Sequence, residues 1–332
     1  MSQRGGPWFV VPALGLLGFS VVLPFLVALG LTFTDQRLLS PNETEAVGLD
    51  NYARLLSVDV LTVDEGVRLR DVLRADPAYA GYRPLTELAT GGRRVVVVAQ
   101  DPVFYRSLFN TFVFVVLVIP LQCGTALGLA LLVNQRLPGR TAFRTAFFSP
   151  VVTSMVVVSI VWAFLYNENS GLLNRAFAAL SGGRFEPVDW LGSEALAMPA
   201  IVVMSAWQGA GFQMLIFLAG LQSIDPRLYE AAALDGANAW QRFRYVTLPG
   251  LRNTTLFVVI STTLAAFALF TQVDVMTGGG PNDATSTLIF HAVRSGFRQQ
   301  DVAYGATIAV VFFVLVLGIA LVQRSIGARA DA

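Results

Sequence analysis

The chain contains no lysine, one cysteine and one histidine, and only 14% of its 332 residues are charged. A soluble domain carries about 25% charged residues, so this composition, with 55% hydrophobic residues, is that of a membrane protein. A nucleotide-binding P-loop needs a lysine, and Cys123 and His291 alone cannot form a disulfide framework, a Cys/His metal cluster or a thiol redox pair. The net charge of +1 gives no reason to expect nucleic acid as a partner. We therefore expect a protein that is not an enzyme and holds no metal or cofactor itself.

Uncharged windows locate the membrane spans, because a charged side chain at the bilayer centre costs about 2.5 to 3.5 kcal/mol. Each of six windows offers the ~20 apolar residues that a helix needs to cross a hydrocarbon core of ~30 Å. The first is too long for a signal peptide and is predicted to remain as a helix. The sequence thus predicts an all-α polytopic membrane protein with six transmembrane helices. The windows lie between Arg4 and Asp35, Arg106 and Arg136, Arg144 and Glu168, Glu194 and Asp225, Arg252 and Asp274, and Asp301 and Arg324.

Arginines in the short loops predict the orientation. Arg136, Arg140 and Arg144 follow the second helix without an acidic partner, which places that loop in the cytoplasm by the positive-inside rule. More arginines follow the fourth helix and the sixth, so both termini are predicted to be cytoplasmic. Residues 35–106 mix arginines with more acids, and long translocated loops are exempt from the rule. That segment is predicted to face outward.

A loop between the fourth and fifth helices, residues 223–250, has the start and stop signals of two short helices. Asp225 is a suitable N-cap and Pro226 fits the first helical position, where its missing N–H costs nothing. Gly236 supplies a C-terminal stop, which predicts a helix over 226–235. A second helix is predicted from Asn238, with Pro249 marking the turn into the fifth membrane helix. Two such helices form a knob that suits a groove on a soluble partner.

Short sequences in this loop and outside it match one transporter family. The loop carries Glu230-Ala231-Ala232, then Gly236 after three residues and Leu248-Pro249 a dozen residues later, so we name residues 223–250 the EAA loop. Residues 48–52 (Gly-Leu-Asp-Asn-Tyr), 107–111 (Ser-Leu-Phe-Asn-Thr) and 276–281 (Met-Thr-Gly-Gly-Gly-Pro) extend the match. On these residues the chain resembles the integral-membrane subunit of binding-protein-dependent ABC importers, in the carbohydrate-importing branch, over about residues 101–324.

The resemblance implies a type I ABC importer permease fold and a place in the cytoplasmic membrane of a bacterium or archaeon. It implies three kinds of protein partner besides membrane lipid: a second homologous permease subunit, two cytoplasmic ATPase subunits that carry ATP and Mg, and an extracytoplasmic solute-binding protein. The residues that would couple the chain to the ATPase are Glu230, Ala231, Ala232, Gly236, Leu248 and Pro249. The free energy of ATP would then reach this chain by contact and not by chemistry on it.

A sugar site needs hydrogen-bonding side chains beside an aromatic ring. On the fourth helix Ser205, Gln208, Gly209 and Phe212 share one face; we name these four residues the stripe. The resemblance adds Thr262, Ala265, Ala266 and Leu269 of the fifth helix to the predicted sugar path. A second interpretation stays open, in which Gly209 and Gly211 allow tight helix packing and the glutamines bridge helices.

The resemblance also divides the chain into an N-terminal region with the first helix (1–34), an extracytoplasmic segment (35–106), a permease core (107–324) and a tail (325–332). Residues 58–100, named the insert, interrupt two segments that adjoin in the family. Residues 67–74 have a helical pattern, and Arg93–Ala99 reads as a strand bounded by Gly91-Gly92. The sequence predicts a small α+β insert that either decorates the surface or contacts the binding protein. His291 is predicted to be a surface residue of an outer loop.

Two other functions compete with an ABC permease. An ion-coupled secondary transporter of a small polar solute would show buried ionisable residues and interrupted helices in repeats, and the uncharged windows argue against it. A membrane-embedded enzyme would need a nucleophile or a metal set, which one histidine and one cysteine do not offer. Co-purification of an ATPase with the chain separates the three.

Overall fold

A computed structural model describes residues 6–64, 66–90, 93–135 and 138–330. By its internal contacts the chain forms two compact units, and each is described by itself. Unit one runs to Arg106 and includes Leu288–Leu315; unit two comprises Ser107–Thr287 and the chain from Val316. The predictions that involve Arg4, Gly91, Gly92 and Arg136 lie outside the described residues.

Unit one begins with an uninterrupted apolar helical run. It consists of α1 (Gly6–Leu17), a π-helical turn (Gly18–Val22) and α2 (Leu23–Leu31). Residues Val10–Leu31 are long and apolar enough to span a membrane, and none of the residues in their most apolar window is buried within the chain. A surface of this kind has to be covered by lipid or by another subunit.

The insert forms a three-stranded antiparallel sheet in the order β1-β3-β2. Its elements are β1 (Val58–Asp64), α4 (Leu69–Ala75), a 3₁₀ turn (Pro77–Tyr79), β2 (Arg83–Thr90) and β3 (Arg93–Ala99). Val63, Val96 and Val98 are buried on one face, and α4 packs on them through Leu69, Val72 and Leu73. The predicted helix and third strand are therefore confirmed, whereas the first two strands escaped the sequence analysis.

In the rest of unit one, backbone hydrogen bonds join segments that are distant in the sequence. These elements are α3 (Asp50–Leu56), α15 (Leu288–Val293), a π-helical turn (Arg294–Arg298) and the first half of α16 (Val302–Ala330). The amide of Leu38 donates to the carbonyl of Gln300 at 2.8 Å, and the amide of Ala303 donates to the carbonyl of Gln36 at 3.0 Å. Residues 36–38 are thereby fastened to the start of α16.

Unit two is built around one long helix. Its helices are α5 (Pro102–Asn134), which begins in unit one, α6 (Arg140–Val152), α7 (Met155–Leu165), α8 (Leu172–Leu180), α9 (Ala197–Ser223), α10 (Pro226–Leu234), α11 (Ala239–Arg242), α12 (Leu248–Gly250), α13 (Arg252–Phe267) and α14 (Thr271–Met276). The most apolar window of α9 is 61% buried, against 22% for α5. Small residues of α5, Ala126 and Ala130, join Met214 and Phe217 of α9 in one core cluster. The central helix is thus the one that carries the stripe.

The described residues contain four helices long and apolar enough to cross a membrane, or five if one bent pair forms one span. The six-span prediction is therefore matched only in part. The third window is split into α6 and α7, which meet at 99°. Pro150 lacks an N–H for the helical hydrogen bond, and Thr153 and Ser154 are extended with ψ of 139° and 133°.

The fifth window is also interrupted. Helix α13 ends after 16 residues, and α14 begins at Thr271. Phe270 leaves the helical conformation with φ of −137°. At this break the Thr287 hydroxyl donates to the Leu269 carbonyl at 2.7 Å. Hydropathy detects the apolar window but not the break, because the residues at the break are as apolar as those of the helix and only their backbone dihedral angles differ.

Candidate functional site

The EAA loop folds as its helix signals predict. The Asp225 carboxylate accepts a hydrogen bond from the amide of Arg227 at 2.9 Å and caps α10, which ends one residue before the predicted boundary. Gly236 follows with φ of +79°, a conformation that costs glycine little and other residues more. Asn238 and Gln241 form a reciprocal capping box at the start of α11. Both predicted helices are confirmed.

A helical path with one break leads from the second half of the loop into α13. A π-helical turn (Phe243–Thr247) and α12 follow α11 without a gap. The Tyr229 hydroxyl lies 3.0 Å from the hydroxyl of buried Thr247, so α10 is fastened to this path. Pro249 lies inside α12, and the break before α13 falls at Leu251, two residues beyond the predicted turn. Proline is accepted there because it occupies the first turn of a helix.

The loop exposes more apolar surface than a solvated loop needs. Glu230 and Ala231 are exposed and Ala232 is half-buried. None of the ion pairs found among the described residues involves Glu230. Three large side chains of the same loop are also exposed: Leu234 is 91% exposed, Trp240 68% and Tyr245 72%. Exposed apolar groups that cluster on one small element indicate a binding surface.

The stripe on α9 is partly covered by its own chain. Ser205 is buried, Gln208 and Gly209 are half-buried, and Phe212 is 52% exposed. The Gln208 amide donates to the Pro150 carbonyl at 3.4 Å. A methyl group added at Gly209 would collide with the amide of Gln122 on α5. The stripe therefore opens toward solvent or a partner only at its Phe212 end.

The path residues of the fifth window, three on α13 and Leu269 just after it, also differ in burial. Thr262, Ala266 and Leu269 are buried and Ala265 is exposed. Gln213 of α9 donates its amide hydrogen to the Thr262 hydroxyl, which itself donates to the Val258 carbonyl at 2.6 Å. Phe212 and Ala265 are thus the exposed members of the eight path residues.

The packing interpretation describes part of this arrangement. A methyl group at Gly211 would strike the Phe147 carbonyl of α6, and one at Gly220 would lie within 3.0 Å of three atoms of Thr254 and Leu251. Gln213 bridges α9 to α13. The role of the stripe in transport stays a prediction. The sequence analysis did not single out Gln122. A polar amide inside an apolar window could have identified it, because such a side chain is costly in lipid.

The prediction for His291 is wrong. It is buried in unit one, with Nε2 2.7 Å from Oδ2 of Asp101. The Tyr304 hydroxyl donates to the same oxygen at 2.5 Å, and the amide of Phe104 donates to Oδ1 at 3.0 Å. Burial raises the pKa of Asp101, but the hydrogen bonds from His291 and Tyr304 outweigh it, so this pKa lies below its ordinary value. The lone histidine anchors a buried carboxylate 190 residues away in the sequence.

Short sequences that carried the resemblance hold a loop of unit two in place. The hydroxyls of Ser107 and Ser286 lie 2.8 Å apart. The amide of Asn110 donates to the carbonyls of Asp283 and Ser286 at 2.8 and 3.0 Å. The start of α5 therefore binds the segment after α14.

The family of inner membrane components of binding-protein-dependent transport systems matches residues 98–331. The chain belongs to this family. The matched range includes the EAA loop, the stripe and the anchored segment after α14, and it excludes nearly all of the insert. The elements described for unit two are thus those of a family member.

Relatives of this family member cover most of its length. The chain is 34% identical over 235 residues to a probable ABC transporter permease protein of Bacillus subtilis, YurN, with 70% of this chain and 80% of that protein covered. It is 34% identical over 255 residues to the trehalose/maltose transport system permease protein MalF of Thermococcus litoralis, with 77% and 84% covered.

Among solved structures, one chain of a bacterial ABC transporter involved in the import of the acidic polysaccharide alginate aligns with a TM-score of 0.72. The identity is 19%, and the alignment covers 97% of this chain and 94% of that one. The likeness shows the helical fold of an ABC importer permease. Among the described residues no group of three or more His, Cys, Asp or Glu side chains is arranged to hold a metal ion.

Proposed function

We propose that this chain is the pore-forming permease subunit of an ATP-driven importer of a carbohydrate. The observation that carries the proposal is the EAA loop, whose two capped helices expose an apolar surface and continue through α12 into α13. A chain without lysine has no phosphate-binding loop of the usual kind. Its ATPase is therefore a separate protein, and the loop is the surface that suits it.

Coupling by this loop is mechanical. Closure of the ATPase around ATP displaces α10, which carries Glu230, and the hydrogen bond between Tyr229 and Thr247 passes the displacement to the helical path. Short helices joined without a flexible linker transmit such a motion as one body. Gly236 permits the bend, and Leu248-Pro249 form the last turn before α13.

The sugar path is proposed to run along the open end of the stripe. Phe212 and Ala265 are exposed. Gln208 shares the face of α9 that carries Phe212, and the Gln122 amide of α5 lies against Gly209 on that face. An aromatic ring with flanking amides suits a sugar, whose ring faces are apolar and whose rim carries hydroxyls. Ser205, Gly209, Thr262, Ala266 and Leu269 support this surface from behind. Two similar proteins, a trehalose/maltose transport system permease and a transporter involved in the import of alginate, favour a saccharide as the solute.

The partners follow from the same proposal. A second homologous permease subunit completes the pore, two ATPase subunits bind ATP and Mg, and a binding protein delivers the solute from outside. The chain lies in a bacterial or archaeal cytoplasmic membrane with six spans and both termini inside. The two interrupted windows then each count as one span with a break.

Reconstitution tests this function. The chain is co-expressed with its candidate permease, ATPase and binding-protein partners, and uptake of labelled maltose or an alginate oligosaccharide into proteoliposomes is measured. We expect uptake to require ATP and the binding protein, and the purified chain without the ATPase to hydrolyse no ATP. Uptake driven by a proton or sodium gradient in the absence of the ATPase would contradict the proposal.

The path has its own test. Phe212→Ala should raise the KM for uptake about tenfold, since a lost aromatic contact and its buried area are worth ~1.5 kcal/mol. Phe257→Ala is the matched control, because Phe257 is also exposed and is not one of the predicted path residues. Equal KM values for both variants and the wild type would remove the stripe from the path.

A further inference from the structure

An open groove of about 770 Å³ lies between the membrane helices and the second half of the EAA loop. The last turns of α5 contribute Leu131, Asn134 and Gln135, α9 contributes Leu221, and the loop contributes Trp240 and Arg242. All of these residues belong to unit two. The groove therefore combines an apolar wall from two membrane helices with a polar end.

Arg242 at the polar end lacks a complete set of hydrogen bonds. Its Nε atom is buried, and the described part of the chain offers it no hydrogen-bond partner. No described residue that lines the groove is acidic. A buried donor on a cation is costly unless an acceptor is supplied. A guanidinium pairs best with a planar or tetrahedral oxyanion that accepts two hydrogen bonds.

The position of the groove narrows the choice of anion. Helices α5 and α9 end at Asn134 and Ser223 after apolar runs long enough to span the membrane, so the groove lies where these helices leave the hydrocarbon. Trp240 lines the groove and is 68% exposed, and such aromatic side chains are typical of membrane interfaces. Arginines near the cytoplasmic ends of spans attract anionic lipids.

We propose that this groove binds the headgroup of an anionic phospholipid. Arg242 donates to the phosphate, the amides of Asn134 and Gln135 face the headgroup, and an acyl chain lies along Leu131 and Leu221. The site would fix the second helix of the EAA loop to the membrane surface while α10 remains free to bind a protein. The inference does not depend on which solute is transported.

Native mass spectrometry of the assembled complex tests the site, with phosphatidylglycerol and phosphatidylcholine as probes. Arg242→Gln should bind phosphatidylglycerol about tenfold more weakly, as expected when one charge-assisted pair is lost. Arg244→Gln is the matched control, because Arg244 is exposed, lies 5.8 Å from the Tyr245 ring and does not line the groove. It should bind within about twofold of the wild type, and Arg242→Lys should fall between them.

A soluble anion or a protein in the groove would give results different from those expected for a lipid. Equal phosphatidylglycerol binding by Arg242→Gln and the wild type overturns the proposal. Displacement of the lipid by millimolar glycerol phosphate would assign the groove to a soluble anion and overturn it also. Loss of the ATPase from Arg242→Gln with lipid binding unchanged would assign the groove to the protein interface. ATPase co-purification and uptake are measured on the same samples, so a failed lipid site is distinguished from a failed permease function.

Discussion

The insert and the EAA loop are both small elements outside the apolar helices, but they bury their apolar side chains differently. The insert covers one face of its sheet with its own helix α4, and Val96 and Val98 are fully buried there. The EAA loop leaves Leu234, Trp240 and Tyr245 largely exposed. An element with its own core can keep its structure alone, whereas one that exposes such side chains is completed by something else. The insert therefore has a core of its own, and the EAA loop depends more on a covering partner.

Their attachments differ as well. Both ends of the insert leave it side by side, since Val58 pairs with Ala99 and the amide of Gln100 donates to the carbonyl of Ser57 at 3.3 Å. The second half of the EAA loop is helical up to Gly250, and one residue separates it from α13, which begins at Arg252. A displacement of the loop therefore reaches α13, whereas the insert is joined to its unit at one narrow base.

Removal of the loop's carboxylate is expected to have the largest effect. Glu230→Ala should weaken the ATPase complex about a hundredfold, because truncating one member of a buried charged pair costs ~2 to 5 kcal/mol. Uptake should fall to background. Co-purification of the ATPase and uptake are measured together, with Glu87→Ala on the insert as the control. Wild-type values for Glu230→Ala in both assays would remove the loop from the mechanism.

A matched pair of glycine variants sharpens the comparison. Gly236 in the loop and Gly81 in the insert have φ of +79° and +87°, and neither is crowded by neighbouring atoms. Valine at either position costs about 1 to 3 kcal/mol of local strain. Gly236→Val should lose most of its transport by misplacing α10, while Gly81→Val should transport normally. Similar losses in both variants would show that strain alone, and not the loop, explains the effect.

The sequence predicts those elements of the fold that are specified by residues close together in the chain. The ends of α10 were predictable because Asp225, Pro226 and Gly236 act within a few residues. The break between α6 and α7 was missed although Pro150 stood in the window, because a proline inside a membrane helix is often tolerated. Strand β1 was missed because its apolar and polar residues alternate only loosely. Its pairing with β3 joins residues that are distant in the sequence.

The candidate site shows the same limit. The stripe could be placed on one helical face, but its cover by Gln122 and Pro150 comes from other helices. The pair of Asp101 and His291 was beyond sequence reasoning, since 190 residues separate them and neither matches a local pattern.

The buried carboxylate at the base of the insert should matter for stability. Asp101→Asn should lower the free energy of unfolding by about 2 to 3 kcal/mol at neutral pH, because it weakens hydrogen bonds to a charged acceptor. The folded pKa of Asp101 is lowered. Its contribution is therefore present above the unfolded value of about 3.9 and is lost as the pH falls through the lower folded value.

Thermal unfolding of the complex in detergent, from pH 7 downward, measures this prediction. The two proteins should converge in stability at the acid end. A constant difference across the pH range would contradict the role of the charge.

Deletion of the insert should have the smallest effect on the fold. Joining Ser57 to Asp101 bridges two positions that a backbone hydrogen bond already brings close. We expect the variant to reach the membrane and to retain the ATPase. Its stimulation by the binding protein should fall, because Val60 and Leu88 are exposed on the insert. Unchanged stimulation would make the insert a surface decoration, and failure to reach the membrane would show that its boundary is wrong.

Site-directed photo-crosslinking tests the central claim most directly. Cys123 is the only cysteine, so a Cys123→Ser chain can carry one new cysteine labelled with a benzophenone, at Ala231→Cys in the loop or Leu88→Cys in the insert. Irradiation of the assembled complex should join the loop position to the ATPase, with a yield that changes when ATP is added, and should leave the insert position unjoined. An ATPase adduct at Leu88→Cys, or none at Ala231→Cys in a complex that still transports, would contradict the account.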